Sequence, residues 1–339
     1  MTASKALDQP AFVERLTRAV RRRFGEAAAV TPVGEPSMGG INHTAIFDVA
    51  EACGTPRRLV LRRETIEGIG NPFLASHKQY RLLEVAHGRG LPAPEPVFEL
   101  EPADDLGQGF VMGFVEGETL PRRINNDPRF DGIRPGLAAR CGELLAAIHD
   151  FGLAATDFLT DVADTADPLA AQRERLDLYR EKHPALELGL RWLELNRPTG
   201  GEPVSLHGDF RNGNFIVDET GIVAILDWEC SHHDRPMEDL GWLCVPSWRF
   251  GNPDRPVGGF GERADLYAGY EAASGRQVDD EEVRYWEIFG MVRWAILNVM
   301  QGFGHVYEGR RSMVWAACGR NVAMVEHELM QALNGRAAR

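Results

Sequence analysis

Apolar and polar positions change their spacing along the chain, and the change divides it into two parts. Between about residues 30 and 115, apolar and polar residues alternate as in half-buried strands, for example in "AIFDVA" and "RRLVLRRE". One helical stretch interrupts this alternation near residues 77–86. From about residue 135, apolar positions recur every three or four residues, which is the spacing of amphipathic helices. We therefore expect an α+β protein with a small N-terminal antiparallel sheet and a helix, followed by a larger, mainly helical part.

The boundary between the two parts is predicted where the strand-like run "GQGFVMGFVEG" ends in a turn. We place a first domain at residues 1–113 and a second at residues 114–339. Two short apolar stretches, at residues 204–206 and 215–217, and the run "GIVAILDWE" interrupt the helices of the second domain. These three runs are predicted to be strands.

Composition narrows the class of protein. Of the 339 residues, 44% are hydrophobic and 26% are charged, and the formal net charge of −13 disfavours nucleic acid as a partner. We find neither an apolar run long enough to span a membrane nor the apolar core of a signal peptide, so we expect no membrane association. The five cysteines are scattered and form no CxxC pair, which fits a reducing, cytoplasmic environment.

The candidate chemistry lies in "SLHGDFRNGNFIV", which begins at residue 205, and in the strand that follows it. Two antiparallel strands joined by a turn at "DETG" would bring Asn214 and Asp227 side by side. An amide and a carboxylate oxygen suit Mg²⁺, which takes further ligands from water and phosphate. Asp209, at the other end of the loop, could orient a hydroxyl group and accept its proton. Positioning, a base and metal-borne charge neutralisation are what phosphoryl transfer requires.

The polar residues of this region have two other interpretations. Asp and Asn are common turn formers at strand ends, but the ordered set of three favours function. His232 and His233 suggest a two-metal hydrolase, which would also need an Asp-x-His motif that we do not find in the chain. We expect these histidines to cap or pack a loop.

The segments "HGDFRNGN" and "LDWE" resemble the catalytic and metal-binding segments of the aminoglycoside phosphotransferase and choline kinase family. The resemblance implies a bilobal, protein-kinase-like fold with a nucleotide-binding N-lobe and a catalytic, acceptor-binding C-lobe. It also implies that Asp209 is the catalytic base, that Asn214 and Asp227 bind Mg²⁺, and that His207 braces the loop. The later segment "DRPMEDLGWL" is similar to one in which the family's aspartate, here Asp239, holds the catalytic loop.

The nucleotide-binding segments resemble the family more loosely. "GEPSMGGINHTAIFDV" is similar to the hairpin that covers the nucleotide, and "FVMGFVEG" to the hinge that meets adenine. Arg62 stands where relatives have a phosphate-binding lysine, and Gln79 where they commonly have its glutamate partner, so Gln79 would orient Arg62 through its amide oxygen. The resemblance implies the following ATP-binding residues: Ser37, Gly39, Gly40, Arg62, Gln79, Gly113 and Val115.

The sequence of these segments most resembles that of the kinase-like domain that precedes the dehydrogenase in acyl-CoA dehydrogenase family members 10 and 11. That branch is linked to hydroxylated acyl groups such as hydroxyacyl-CoA. We therefore expect an ATP- and Mg²⁺-dependent kinase that phosphorylates a small-molecule hydroxyl. The alternative functions are an aminoglycoside or choline-type kinase and a nucleotide-binding pseudokinase. For the assembly, both a monomer and a homodimer stay open. Arg293, in an apolar helical stretch, contacts the acceptor or lies at the surface.

Overall fold

The computed structural model describes residues 6–35, 42–51, 56–65, 71–179 and 181–335. The chain divides into two compact units. The first comprises Met1–Glu116 and Ala224–Glu229, and the second comprises Gly117–Val223 and Cys230–Arg339. The sequence-based boundary between residues 113 and 114 stays a prediction.

In the first unit, the described residues form a five-stranded antiparallel sheet with two α-helices, and the strand order is β1-β2-β3-β5-β4. The elements are α1 (Pro10–Phe24), β1 (Ala29–Gly34), β2 (His43–Ala50), β3 (Arg57–Arg63), α2 (Ser76–Gly88), β4 (Pro96–Glu99) and β5 (Gly109–Gly113). The predicted N-terminal sheet and its helix are confirmed.

The core of the first unit lies between α1 and one face of this sheet. Phe12 and Leu16 from α1 are buried together with Phe47 of β2 and Leu61 of β3. Because successive side chains of a strand point to opposite faces, Arg62 of β3 points away from this core. The alternation that builds the core therefore also presents the arginine on the other face of the sheet.

The second unit is mainly helical, as predicted. Its helices are α3 (Pro121–Asn126), α4 (Leu137–His149), α5 (Ala163–Ala166), α6 (Pro168–Leu178), α7 (Pro184–Leu195), α8 (Met237–Cys244), α9 (Arg263–Ser274), α10 (Asp280–Val306) and α11 (Met313–Leu333). None of the helices in the described ranges is both long and apolar enough to cross a membrane.

Short strands flank the loop of residues 207–214. They are β6 (Val204–Leu206), β7 (Phe215–Asp218), β8 (Gly221–Ile225) and β9 (His232–Asp234). β6 pairs with β9 in antiparallel register and β7 pairs with β8. The runs at residues 204–206 and 215–217 are thus strands, whereas "GIVAILDWE" is a strand only as far as Ile225 and ends in a 3₁₀ helix at Trp228–Cys230. Residues 207–214 form the loop that joins β6 to β7.

Helices α4 and α9 pack with their backbones almost in contact, and two glycines make this possible. A Cβ atom on Gly142 of α4 would lie 2.3 Å from the carbonyl oxygen of Leu266. A Cβ atom on Gly269 of α9 would lie 2.1 Å from the carbonyl oxygen of Ala139. Both distances are far below van der Waals contact, so any side chain here would force the helices apart.

We predict that Gly142→Ala lowers the free energy of unfolding by about 2 kcal/mol or more, because an extra methyl group would meet backbone that cannot move aside. The matched control is Gly136→Ala, just before α4, where φ is −93° and no atom lies within 4 Å of the added Cβ. The control should change stability by less than about 0.5 kcal/mol. Urea unfolding of both variants measures the difference, and equal stabilities would contradict the packing described.

Candidate active site

The loop of residues 207–214 is fixed at its start by one buried carboxylate. Asp239, on α8, accepts the backbone N–H of His207 through Oδ2 at 2.8 Å and that of Gly208 through Oδ1 at 2.9 Å. Nε2 of His149 lies 3.2 Å from Oδ2 of the same carboxylate, and Nδ1 of His149 lies 2.9 Å from the hydroxyl of Tyr270. These contacts place Asp239 in the role that the family resemblance implied.

Asp239 is fully buried, and hydrogen-bond partners surround its carboxylate. Burial alone would raise the pKa of Asp239, but the hydrogen bond and charge of His149 and the backbone N–H of His207 lower it below the usual value. The carboxylate therefore stays ionised and keeps accepting the loop's N–H groups.

Gly208 is the residue that precedes the candidate base, and only glycine fits its position. Its φ is +75°, and a Cβ atom would lie 2.1 Å from the carbonyl oxygen of Cys230. Its own carbonyl oxygen accepts a 2.8 Å hydrogen bond from Nη1 of Arg293. Since Arg293 is 5% exposed and contacts the loop backbone, the expectation of a surface position is wrong.

Three side chains donate hydrogen bonds to the carboxylate of Asp209. Oδ1 accepts Nε1–H of Trp242 at 2.9 Å and Nε–H of Arg211 at 3.0 Å. Oδ2 accepts Nδ2–H of Asn214 at 2.6 Å, and the same amide nitrogen lies 2.9 Å from the backbone carbonyl of Asp209. The structure thus brings Asp209 and Asn214 together, with the amide nitrogen turned toward the carboxylate.

His207 and Asn212 complete the loop. Nδ1 of His207 accepts the backbone N–H of Asp209 at 3.2 Å, and its ring packs edge-on against Phe210. Nδ2 of Asn212 donates to Oδ1 of Asn125 at 2.9 Å and to the carbonyl oxygen of Gly258 at 2.7 Å. His207 is therefore placed to brace the loop from within, and Asn212 ties it to α3.

A buried group of charges lies behind the loop. Oε1 of Glu238 is 3.7 Å from Nη1 of Arg293 and 3.2 Å from Nε2 of His232, although the second contact lacks hydrogen-bond geometry. Burial alone would lower the pKa of His232, but Glu238 raises it to about 9. His232 thus packs beneath the loop as a partner of Glu238.

In the first unit, Arg62 forms ion pairs with Asp227 and with Glu229. Nη2 contacts Oδ1 of Asp227, and it lies 2.7 Å from Oε2 of Glu229. The amide of Asn42 donates to the same Oε2 at 2.8 Å. Burial alone would lower the pKa of Arg62, but the carboxylates of Asp227 and Glu229 raise it above its usual value.

Gln79 lies next to this cluster along the backbone. The side chain is buried, and its Nε2 donates to the carbonyl oxygen of Leu74 at 2.7 Å. The N–H of Leu74 donates in turn to the carbonyl oxygen of Glu229 at 2.8 Å. In this structure the hydrogen bonds shown for Gln79 therefore support the backbone around Glu229, and Glu229 provides the side-chain contact with Arg62.

The remaining predicted nucleotide residues are located as follows. Gly113 ends β5, pairs with Leu59 of β3 and donates its N–H to the carbonyl oxygen of Glu95 at 2.8 Å. Val115 follows β5 and is half-buried. Ser37, Gly39 and Gly40 lie outside the described residues.

Sequence reasoning missed three side chains of these clusters: Trp242, Arg211 and Glu229. Trp242 follows Asp239 by three residues, a spacing that places both on one face of a helix and could have indicated a shared target. Arg211 stands two residues after Asp209, and Glu229 two residues after Asp227. Nothing in those spacings shows which charged group each one contacts.

By sequence, the chain is similar to acyl-CoA dehydrogenase family members 10 and 11. The chain is 27% identical over 200 residues to mouse (Mus musculus) acyl-CoA dehydrogenase family member 10, which covers 56% of this chain and 18% of the relative. The chain spans about a fifth of the length of the curated relatives that it matches.

Solved structures show the fold. A Ralstonia eutropha protein provisionally designated an aminoglycoside phosphotransferase superposes with a TM-score of 0.69 at 22% identity, over 95% of this chain and 98% of that one. Spectinomycin phosphotransferase, solved with ADP and spectinomycin, has a TM-score of 0.61 at 10% identity, over 94% of this chain and 98% of its own. The predicted protein-kinase-like fold is confirmed.

The family follows from the model that matches most of the sequence. The model described as "Phosphotransferase enzyme family" matches residues 39–276, which is well over half of the 339-residue chain and includes both candidate clusters. The chain therefore belongs to this phosphotransferase family, and the prediction that it is a small-molecule kinase is confirmed.

Proposed function

We propose that this protein transfers the γ-phosphoryl group of ATP to a hydroxyl group of a small-molecule acceptor, with Mg²⁺ as cofactor. The observation that carries the proposal is the Asp209 carboxylate, which is held by three side-chain donors in a loop whose backbone is fixed by Asp239. A carboxylate oriented before the substrate arrives is suited to act as a general base.

In the proposed reaction, Asp209 orients the acceptor hydroxyl and takes its proton. The hydroxyl oxygen forms a bond to the γ-phosphorus, the bond from that phosphorus to the bridging oxygen breaks, and ADP leaves with the bridging oxygen. The protonated Asp209 then returns its proton to solvent. His207 supports this step by holding the N–H of Asp209.

Asn214 and Asp227 are the proposed Mg²⁺ ligands, and their chemistry fits a hard cation. Because both hydrogen bonds shown for the Asn214 amide nitrogen end on Asp209, the amide oxygen is the atom directed away from the base. Asp227 supplies a partly exposed carboxylate. Bound Mg²⁺ would neutralise charge on the phosphates.

The nucleotide is proposed to bind the first unit. Arg62 is a permanent cation that would bind the phosphates. Glu229 pairs with Arg62 in place of the glutamate that relatives commonly have at the position of Gln79. Gln79 supports that partner through Leu74. The backbone at Gly113 and Val115 is proposed to meet adenine, and Ser37, Gly39 and Gly40 to cover the phosphates. ADP in the spectinomycin phosphotransferase structure supports a nucleotide cofactor.

For the acceptor we propose a hydroxyacyl-CoA or a related hydroxy acid. The sequence relatives are acyl-CoA dehydrogenase family members. In addition, Arg211 lies beside the base, and its guanidinium carbon is 4.5 Å from the centre of the Trp248 ring. Arg211 pairs with the carboxylate of Asp209, and its guanidinium also offers donors that fit a carboxylate or phosphate of the acceptor. We therefore propose an acceptor with an anionic group, in preference to an aminoglycoside or choline-type acceptor.

The second candidate function is a nucleotide-binding pseudokinase. The departures at Arg62 and Gln79 motivate it, because both differ from the common phosphate-binding pair. The pairing of Arg62 with Glu229 removes most of that motive, since the arginine has a carboxylate partner from another segment. ADP release that depends on a hydroxylated acceptor excludes the pseudokinase.

The first prediction concerns the base. Asp209→Asn should lower kcat by about 10²–10⁴-fold, because the amide cannot accept the hydroxyl proton. Calorimetry should show ATP affinity within about twofold of the wild type, since Asp209 does not grip the nucleotide. The control, Asp265→Asn at an exposed position on α9, should retain full activity. Normal turnover by Asp209→Asn would refute the assignment.

The second prediction concerns the metal. Asp227→Asn should weaken ATP binding at about 1 mM Mg²⁺ by about tenfold or more, and higher Mg²⁺ should partly restore it, because a ligand charge is lost. Calorimetric titrations across a Mg²⁺ series measure this effect. Asp218→Asn is the control, since Asp218 accepts hydrogen bonds from Thr220 in the β7–β8 turn. An unchanged Mg²⁺ dependence for Asp227→Asn would exclude Asp227 as a ligand.

The third prediction concerns the acceptor. A panel of hydroxyacyl-CoAs, free hydroxy acids, choline and kanamycin, with coupled ADP detection, should give the highest kcat/KM with the anionic compounds. Arg211→Gln should reduce that preference by removing the cation beside the base. Faster turnover of choline or kanamycin by the wild-type protein would assign it to the amine-bearing acceptors instead.

A further inference from the structure

Helix α8 contacts the catalytic loop at two different groups. Asp239 holds the backbone N–H groups of His207 and Gly208, and one turn later Trp242 donates its indole N–H to Oδ1 of Asp209. Trp242 is 3% exposed, so its indole is held by its surroundings and has little freedom to turn. One face of a single helix thus fixes both the backbone and the side chain of the proposed base.

Arg293, on α10, contacts both Trp242 and the backbone of the loop. Its guanidinium carbon lies 5.1 Å from the centre of the Trp242 ring, within the range of a cation–π contact. Its Nη1 donates to the carbonyl oxygen of Gly208. The guanidinium is buried, and Glu238 balances its charge at 3.7 Å. Arg293 therefore stabilises the indole and the peptide group that precedes Asp209 at the same time.

The two oxygens of Asp209 are not equivalent. An ionised carboxylate oxygen has two lone pairs, and those of Oδ1 are directed to Trp242 and Arg211. Among the residues that the structure describes, the donor shown for Oδ2 is Asn214 alone. One acceptor position of Oδ2 is therefore left for a substrate hydroxyl.

We propose that Trp242 is a positioning residue that, together with Arg211, saturates Oδ1 of Asp209 and so presents Oδ2 as the oxygen that takes the proton of the acceptor hydroxyl. Arg293 is a second positioning residue, which acts by holding the Trp242 indole and the Gly208 carbonyl. The proposal rests on Asp209 being the base, as proposed above. Without the indole N–H, Oδ1 and Oδ2 can exchange places and the carboxylate can turn away from the hydroxyl. A misplaced base lowers the rate of the chemical step without changing how the substrates bind.

The test is Trp242→Phe, which removes the N–H and keeps an aromatic ring. We expect kcat to fall about tenfold to hundredfold, with KM for ATP and for the acceptor within about twofold of the wild type. The matched control is Trp286→Phe on α10, a buried tryptophan whose Nε1 donates to Oε1 of Glu282 at 3.2 Å. It loses the same atoms and a bond to a carboxylate outside the loop, so its kcat should stay at the wild-type value.

Arg293→Lys tests the second half of the proposal. Lysine keeps the charge but lacks the flat guanidinium that covers the indole, so kcat should fall less than in Trp242→Phe. In the double variant, which combines Trp242→Phe and Arg293→Lys, the fold-decrease in kcat should be smaller than the product of the two single fold-decreases, because Arg293 acts partly through Trp242. Fully multiplicative losses would show that Arg293 does not act through the indole.

Wild-type kcat in Trp242→Phe, or an equal loss in Trp286→Phe, would overturn the proposal. Thermal unfolding and ATP calorimetry on each variant confirm that the folded protein is compared. The result for Asp209→Asn separates the two proposals. If that variant is inactive while Trp242→Phe is normal, the positioning role alone is wrong; if Asp209→Asn is fully active, the base assignment is wrong.

Discussion

The arrangement of the catalytic loop depends on one buried interaction, the carboxylate of Asp239 with the N–H groups of His207 and Gly208. Removing an ion from water costs on the order of several kcal/mol, so a buried carboxylate persists only where donors replace the lost hydration. Here the two backbone N–H groups and His149 replace it, and they keep the pKa of Asp239 low. The same contacts fix the backbone directly before Asp209.

The proposed chemistry follows from that fixed backbone. Gly208 tolerates no side chain, and its carbonyl is held by Arg293, so the peptide before Asp209 is held on both sides. Asp209 then needs only its carboxylate to be oriented, and Trp242 and Asn214 bind its two oxygens. An oriented base requires no reorganisation when a hydroxyl arrives, which is the usual source of catalytic advantage in phosphoryl transfer. In the other cluster, Arg62 has its own carboxylate partners.

Much of the fold was predictable from the sequence, because period-two and period-3.6 patterns report directly on local structure. The strands that flank the loop were predictable for the same reason, and the resemblance of the loop's sequence to a known family pointed to Asp209 and Asn214. Partners from distant elements were not. Gln79 stands where relatives have a glutamate, yet Glu229, 150 positions later, contacts Arg62. Arg293 looked equally suited to a substrate or to solvent, since its burial depends on how α10 packs. Such pairings depend on tertiary packing, and spacing along the chain carries no information about them.

The rate of amide hydrogen exchange in the nucleotide-free protein shows whether the loop of residues 207–214 is fixed before any ligand binds. The amides of His207 and Gly208 should exchange only through global unfolding, because both donate to a fully buried carboxylate. The amide of Glu219, in the exposed β7–β8 turn, supplies the fast reference. Exchange of His207 and Gly208 at the rate of Glu219 would show that Asp239 does not hold the loop that carries Asp209.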